Sequence, residues 1–309
     1  MGEIINSISF QDNNISWLLA EVESGQSITI KRVAENPLPF IINYDNIQKP
    51  TTALRIANHL YKLASTNDLP MQNVRFLLSG KFGMVRKIQV DRTIPENVYP
   101  QLVEQELQAV LPAPTEDYLI YQPAYARPRE LLTFCMRKSL FSFFQRIATE
   151  ARLPVTQISL NCFSIDELYR RFFPNIIGQT LMVNFTDRGF EIVLSDENSF
   201  LNFSFKPYAK SLQSIDQLDE SEIFSTFTAM VDDIQHPGPI DMPLYSISQI
   251  FLFGTGFKAH WLDRLQNQCS HTLRILNPTD TAEWQIISED AQFNSMGAYR
   301  FVEPLSNVF

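Results

Sequence analysis

Two strand–turn–strand segments, far apart in the chain, constrain the fold more than any other feature. Ile8-Ser9-Phe10-Gln11-Asp12-Asn13-Asn14-Ile15-Ser16-Trp17 places a polar turn between two β-rich runs. Leu181-Met182-Val183-Asn184-Phe185-Thr186-Asp187-Arg188-Gly189-Phe190 repeats the arrangement. Each opens a run of three short β-rich stretches separated by turn residues, at 4–10, 15–23 and 27–34, and at 180–186, 189–195 and 199–205. Such stretches predict three-stranded meanders. Two meanders in corresponding positions point to a duplicated fold. A third signal is Ile250-Phe251-Leu252-Phe253-Gly254-Thr255-Gly256-Phe257, a strand running into a Gly-x-Gly turn before a helix.

The 309 residues suffice for one large or two ordinary domains. A hydrophobic share of 45% supplies a sizeable core. No apolar run reaches the ~18–20 residues that a bilayer span needs, and Met1-Gly2-Glu3-Ile4-Ile5-Asn6 lacks the features of a signal peptide. The three cysteines, Cys135, Cys162 and Cys269, are far apart and form no metal or disulfide pattern. A reducing cytoplasm is the simplest reading. The net charge of -9 and scattered basic residues argue against nucleic acid as a partner. Glycine is scarce, at 10 residues. The backbone thus has few places to approach a phosphate closely.

Between the meanders, Thr51 to Ala64 has the spacing of an amphipathic helix, with Leu54, Ala57, Leu60, Tyr61 and Ala64 as its apolar stripe. Val74 to Leu78 and Met84 to Val90 predict short strands. Glu96 to Val110 predicts a helix that stops at Leu111-Pro112-Ala113-Pro114, where proline forbids continuation. Strands follow at 118–125 and 130–136, joined through Arg127-Pro128-Arg129, then a helix from Ser139 to Ala151. The segment 85–151 therefore has the pattern β-α-β-β-α. Val155 to Leu160 predicts a strand and Ser164 to Phe173 a helix. Ser221 to Ile234 predicts another helix. The chain closes as strand 249–253, helix 258–268, strand 272–276 and a helix near 288–299. The only Pro-rich loop is His236-Pro237-Gly238-Pro239.

Several stretches in order resemble the type IV pilus assembly PilM family, relatives of FtsA. The most specific is Leu102-Val103-Glu104-Gln105-Glu106-Leu107-Gln108-Ala109-Val110-Leu111-Pro112-Ala113-Pro114-Thr115-Glu116-Asp117-Tyr118. It is similar to the family's acidic helix, its proline break, and an acidic pair leading into a strand. Leu132-Thr133-Phe134-Cys135-Met136-Arg137-Lys138 resembles a strand ending in Ala-Arg-Lys. Phe253-Gly254-Thr255-Gly256-Phe257-Lys258 resembles the adenosine loop, and Ser295-Met296-Gly297-Ala298-Tyr299-Arg300 the closing motif. The resemblance implies an α/β, actin-like (ribonuclease H-like, duplicated) two-lobe fold with an inserted β-α-β-β-α subdomain. It places the first lobe at 1–84 with a return segment at 152–178, and the insertion at 85–151. The second lobe falls at 179–285, with a reduced extra subdomain, and a C-terminal helix at 286–309 closes on the first lobe.

In that fold the hairpin turns carry Asp-Ile-Gly to hold magnesium and phosphate. Here they carry Ser9-Phe10-Gln11 and Asn184-Phe185-Thr186. A magnesium site leans on carboxylates and a phosphate site on close-packed amides, so neutral side chains weaken both. Asp12 and Asp187 stand next to the altered positions. They either substitute in a shifted register or serve as ordinary turn residues, a role that suits Asp. Gly254 and Gly256, with Lys258 beside them, either accept a nucleoside or only permit a tight strand-to-helix turn. The expectation is a pseudo-ATPase with no tightly held cofactor, ATP and magnesium binding weakly if at all. Glu104 and Glu106 face apart at i,i+2 and form no acid/base pair. His59, His236, His260 and His271 are isolated in sequence, and no nucleophile or P-loop motif is present.

The resemblance also implies a groove between the first lobe and the insertion that takes the cytoplasmic tail of a PilN-like inner-membrane protein. Phe76, Leu78, Phe82, Met84, Val85 and Ile88, with Phe141-Ser142-Phe143-Phe144, are the candidate apolar lining. Lys81, Arg86 and Lys87 either suit an acidic tail or mark a solvated edge strand. The expected function is a cytoplasmic scaffold of type IV pilus or related secretion assembly, recruited to the inner face of the inner membrane. Two alternatives stand beside it: a working PilM-like ATPase, and the cytoplasmic part of a GspL-like type II secretion protein. The latter would continue into a transmembrane helix beyond Leu305-Ser306-Asn307-Val308-Phe309.

Overall fold

A computed structural model describes residues 2–309 apart from 12, 24–25, 39, 92, 122–129, 176, 198, 210–213, 236–245 and 282. Asp12, the 127–129 link, the end of the strand expected at 118–125 and the His236 to Pro239 loop therefore lie outside the described residues.

The elements of the first half run β1 (Glu3–Phe10), β2 (Asn14–Glu23), β3 (Ser27–Pro37), α1 (Tyr44–Ile47), α2 (Pro50–Thr66), β4 (Val74–Leu78) and β5 (Gly83–Gln89). Then come α3 (Tyr99–Val110), β6 (Tyr118–Tyr121), β7 (Glu130–Arg137), α4 (Lys138–Glu150), β8 (Val155–Leu160) and α5 (Asn161–Phe172). The second half runs β9 (Gln179–Phe185), β10 (Gly189–Ser195), β11 (Phe200–Pro207), α6 (Glu220–Gln235), β12 (Ile247–Phe253), α7 (Leu262–Gln266), β13 (Thr272–Ile275), β14 (Gln285–Ser288), α8 (Ala291–Met296) and α9 (Val302–Ser306).

Two sheets repeat one topology. The first has the order β14-β3-β2-β1-β4-β8 and the second β11-β10-β9-β12-β13. In each, three antiparallel strands form a meander, and the fourth strand lies parallel to the first. The fifth lies parallel to the fourth. Parallel neighbours need long crossovers, which the helices supply. This is the duplicated, actin-like fold. The equivalent hairpins β1–β2 and β9–β10 occupy the same place in their lobes.

The first-lobe core is strongly aromatic. Phe10 of β1 meets Phe76 and Phe144 edge-to-face, with ring centroids 4.9 and 5.2 Å apart. Helix α2 starts at Pro50, whose missing N–H costs nothing at a first helical position. Its buried face is Ala53, Ile56, Ala57, Leu60, Leu63 and Ala64. Leu54 and Tyr61, expected on that stripe, point to solvent. The period was right, but the face is rotated by about one residue, because β4 and α4 lie on that side.

The insertion forms a separate sheet, β5-β7-β6, with α3 on one face through Val103 and Leu107. The β-α-β-β-α order is present. Its closing helix α4 packs Leu140, Phe143, Phe144 and Ile147 against α2 in the first-lobe core. Helices α5 and α9 cross between the lobes. Helix α5 lies against β10 and β11, and α9 lies against β1 and β2.

The C-terminal region departs from the expected helix at 288–299. Gln285–Ser288 is instead a strand that extends the first sheet by pairing parallel with β3. Helix α8 ends at Gly297, whose φ of +91° no helix can continue through. The helix expected at 258–268 is regular only over α7, after a 3-10 turn at Ala259–Trp261. Asp290 caps α8 by accepting from the Phe293 amide at 2.8 Å and also accepts from the Val33 amide of β3 at 3.3 Å. Asp290→Ala is expected to cost about 1–2 kcal/mol, the range for a lost N-cap, as measured by urea denaturation. A loss no larger than for a surface alanine would contradict this.

Candidate functional site

The two hairpin tips meet across the interlobe cleft. Asn13 Nδ2 donates to Asp187 Oδ2 at 3.1 Å, and the Ile215 amide donates to Asp187 Oδ1 at 3.0 Å. Asp187 is therefore a fastened turn residue joining three segments.

Below the tips lie two buried carboxylates. Glu303 sits on α9 and Glu191 on β10, and neither is more than 4% exposed. Gln11 Nε2 donates to Glu303 Oε2 at 2.7 Å, and Ser9 Oγ donates to the same oxygen at 3.4 Å. Asn184 Nδ2 donates to Glu191 Oε2 at 3.3 Å. The hydroxyl of Ser79 donates to Glu191 Oε1, and Lys81 Nζ stands 3.9 Å from that oxygen. Asn161, the first residue of α5, binds both acids. Its Nδ2 lies 2.5 Å from Glu303 Oε1 and 2.5 Å from Glu191 Oε2, while its Oδ1 accepts from the Gly80 amide at 2.7 Å. Ser9, Gln11 and Asn184, at the altered hairpin positions, thus donate to the protein's own carboxylates, while Thr186 Oγ1 donates to Gly189 O at 2.8 Å. Burial lifts the Glu303 carboxyl from 4.5 to about 7. The Glu191 charge adds to the lift, while Asn161, Gln11 and Lys81 oppose it.

The backbone donors nearby are also engaged. The Gln11 amide bonds Asn14 O, and the Thr186 amide bonds Gly189 O. Gly254 N donates to Tyr299 O at 3.0 Å, and Gly256 N to Phe185 O at 2.9 Å. Gly254 has φ +111°, and a Cβ there would lie 2.1 Å from Asn184 Oδ1 and 2.7 Å from Phe185 O. Close approach to the end of β9 alone requires glycine at this turn. Beyond it opens a polar cavity of about 370 Å³ whose lining includes Asp187, Gly256, Lys258, Glu35 and Arg300. Lys258 pairs with Asp216 at 2.8 Å and Arg300 with Glu35 at 3.0 Å. Burial raises the Glu35 carboxyl, against the pull of Arg300.

A second cavity, of about 920 Å³, lies between the first lobe and the insertion. Tyr44 and Ile47 of α1 line it, as do Phe82, just before β5, and Met84 at the start of β5. Lys81, Arg137 and Arg188 contribute three cations, and among the described residues no carboxylate lines it. Arg137 stacks on Tyr44 and Tyr118, 5.0 and 5.8 Å from the ring centroids. Of the residues expected here, Lys81, Phe82 and Met84 line the cavity. Phe76 and Leu78 do not, because β4 is a central strand and both are fully buried in the first-lobe core. Ile88 is buried under α3, and Arg86 is exposed outside the cavity.

Among the described residues no group of three or more His, Cys, Asp or Glu is arranged to hold a metal ion. No helix among them is long and apolar enough to cross a membrane. Sequence reasoning passed over Glu191, Glu303, Asn161 and Ser79. The available signal was a lone acid inside an apolar run, in Phe190-Glu191-Ile192-Val193 and in Phe301-Val302-Glu303-Pro304-Leu305.

No family model matches the sequence, and no curated protein matches it. Solved structures do. The chain is similar to one in the PilM-PilN type IV pilus biogenesis complex at 14% identity and TM-score 0.71, covering 98% of this chain and 97% of that one. The fold is shared end to end. The chain is also similar to the cytoplasmic domain of EpsL, an inner membrane component of the type II secretion system of Vibrio cholerae. There the identity is 8% and the TM-score 0.51, covering 93% of this chain and 90% of that one. The resemblance to PilM noted in the sequence therefore recurs in three dimensions.

Proposed function

We propose that this protein is an actin-like scaffold of type IV pilus or related secretion assembly that captures the tail of a PilN-like inner-membrane protein. The observation that carries this reading is the cavity between lobe and insertion, with three cations, aromatic walls and, among the described residues, no carboxylate in its lining. Its wall runs into β5, an edge strand of the insertion sheet. An extended peptide can pair with a strand edge while its side chains fill pockets, and a cationic lining favours an acidic one. The full-length likeness to a chain of the PilM-PilN complex supports the same reading. Such a scaffold acts at the inner face of the inner membrane.

Hydrolysis has no part in this reading. Magnesium triphosphate does not fit the cleft floor. The two glutamates, the carboxylates on hand for magnesium, are already bonded by the side chains of Gln11, Ser79, Asn161 and Asn184. The neighbouring amides of Gln11, Thr186, Gly254 and Gly256 already bond protein carbonyls. Titration calorimetry with ATP and magnesium is expected to give no tight binding. A sub-micromolar dissociation constant that requires both magnesium and the γ-phosphate would overturn this part.

The capture site is tested by fluorescence anisotropy with a labelled peptide of the host PilN-like protein's cytoplasmic tail. Met84→Asp and Phe82→Ala are each expected to weaken binding about tenfold or more, as for buried anchors. Arg86→Glu, outside the cavity, is expected to leave it nearly unchanged. Equal affinity in all three variants would exclude this cavity. The likeness to EpsL supports a second reading, a type II secretion component with the same cavity. Binding of that system's partner tail in preference to the PilN-like one would favour it.

A further inference from the structure

We propose that Glu303 and Glu191 form a proton-dependent clasp that holds the two lobes together without a bound nucleotide. The two acids come from different lobes. Glu191 belongs to the second sheet, and Glu303 belongs to α9, which lies on β1 and β2 of the first. One amide nitrogen, Asn161 Nδ2, bonds both, so the carboxylates are neighbours around a single donor group. First-lobe groups also reach across to the second-lobe acid, through Ser79 Oγ and Lys81 Nζ.

The charges facing Glu303 are few. Ser9 of β1 and Gln11 of the first turn are neutral donors, as is Asn161 of α5. Glu191 of β10 is the facing anion. Lys81, after β4, is the facing cation, and it stacks on Phe205 at 4.9 Å. The Cys162 thiol beside Glu191 is pushed well up by burial, and then by Glu191 itself, and stays neutral. With a proton on Glu303, the cluster holds one anion and one cation. Loss of that proton to water leaves two buried anions on one amide with a single lysine. Burial of an extra unpaired charge is costly. The relief open to the protein is for the lobes to part and admit water. Closure would then report the proton rather than a nucleotide.

The full-length protein tests this by carboxyl 13C NMR and hydrogen exchange. One glutamate resonance is expected to titrate near pH 7 and to vanish in Glu303→Gln. Protection at Gly80 and Lys81, relative to the β12 core, should fall about tenfold or more between about pH 6 and about pH 8.5 in the wild type. It should stay flat in Glu303→Gln. The proposal is overturned if no glutamate titrates above about pH 6, or if protection falls equally in both proteins. Should Glu303→Gln fail to fold, Glu191→Gln removes the same repulsion from the other side. Its protection is expected to stay flat, and a fall matching the wild type would overturn the clasp.

Discussion

Glu303→Gln is expected to make the protein more stable than the wild type above neutral pH and no more stable near pH 5. The carboxyl is lifted from 4.5 to about 7, first by burial and then by the Glu191 charge. The folded state therefore binds this proton more tightly than the unfolded chain does. For a carboxyl raised in this direction, the stabilising contribution is complete below about 4.5 and declines as pH rises towards about 7. Above that it is lost. The size is on the order of 3 kcal/mol across the window. An amide cannot ionise, so the variant should lack this slope. The new NH2 group finds an acceptor once the Gln11 side-chain amide turns over, because Gln11 now donates through Nε2 and its buried Oε1 has no partner. Urea denaturation at a series of pH values measures the difference. Parallel stability curves for the two proteins would contradict the assignment.

Gly254→Ala is expected to destabilise the fold by about 3 kcal/mol, combining a strained positive φ with overpacking against β9. The clash is with Asn184 Oδ1 and with backbone at Phe185, which have no room to withdraw. Gly256→Ala serves as the comparison. Its nearest neighbours would be Phe185 O at 3.0 Å and Ile215 Cγ2 at 3.2 Å, with no left-handed φ. A cost of about 1 kcal/mol is expected there. Thermal denaturation of both variants measures the contrast. If this Gly-x-Gly turn existed for a ligand's approach alone, neither substitution would move the melting temperature. Equal and negligible shifts would thus restore the nucleoside reading of Gly254 and Gly256.

Local physics made much of the architecture legible in the chain. A strand alternates its side chains and a turn needs polar, short residues, so both meanders and their hairpins were visible without partners. The Pro112 and Pro114 break ended α3 for the same local reason. Face and extent were less visible. Leu54 and Ile56 have equal claim to a buried stripe until β4 and α4 lie on one side of α2. Four residues, Gln285 to Ser288, carry too weak a period to stand out, and their strand exists because β3 offers an edge. Phe76 and Ile88 are apolar either way, and only the sheet order separates core from groove.

The cleft divides along the same line. The loss of acidic and glycine residues from the hairpins is a property of neighbouring positions, and the sequence alone determined it. What the substitutes do depends on Glu303, 292 residues from Gln11. Asn161 and Glu191 are likewise remote from the first hairpin in sequence. No periodicity links such positions, because the contacts that join them are tertiary, made within the first lobe between Gln11 and Glu303 and across the lobes between Asn161 and Glu191. Burial, with the Glu191 charge beside it, lifts the Glu303 carboxyl out of the range of an ordinary surface acid. The chain determined the duplicated scaffold and the altered turns. Only the tertiary structure decided that the floor of the cleft is occupied by the protein's own carboxylates, since desolvation and charge proximity exist only once both lobes have closed.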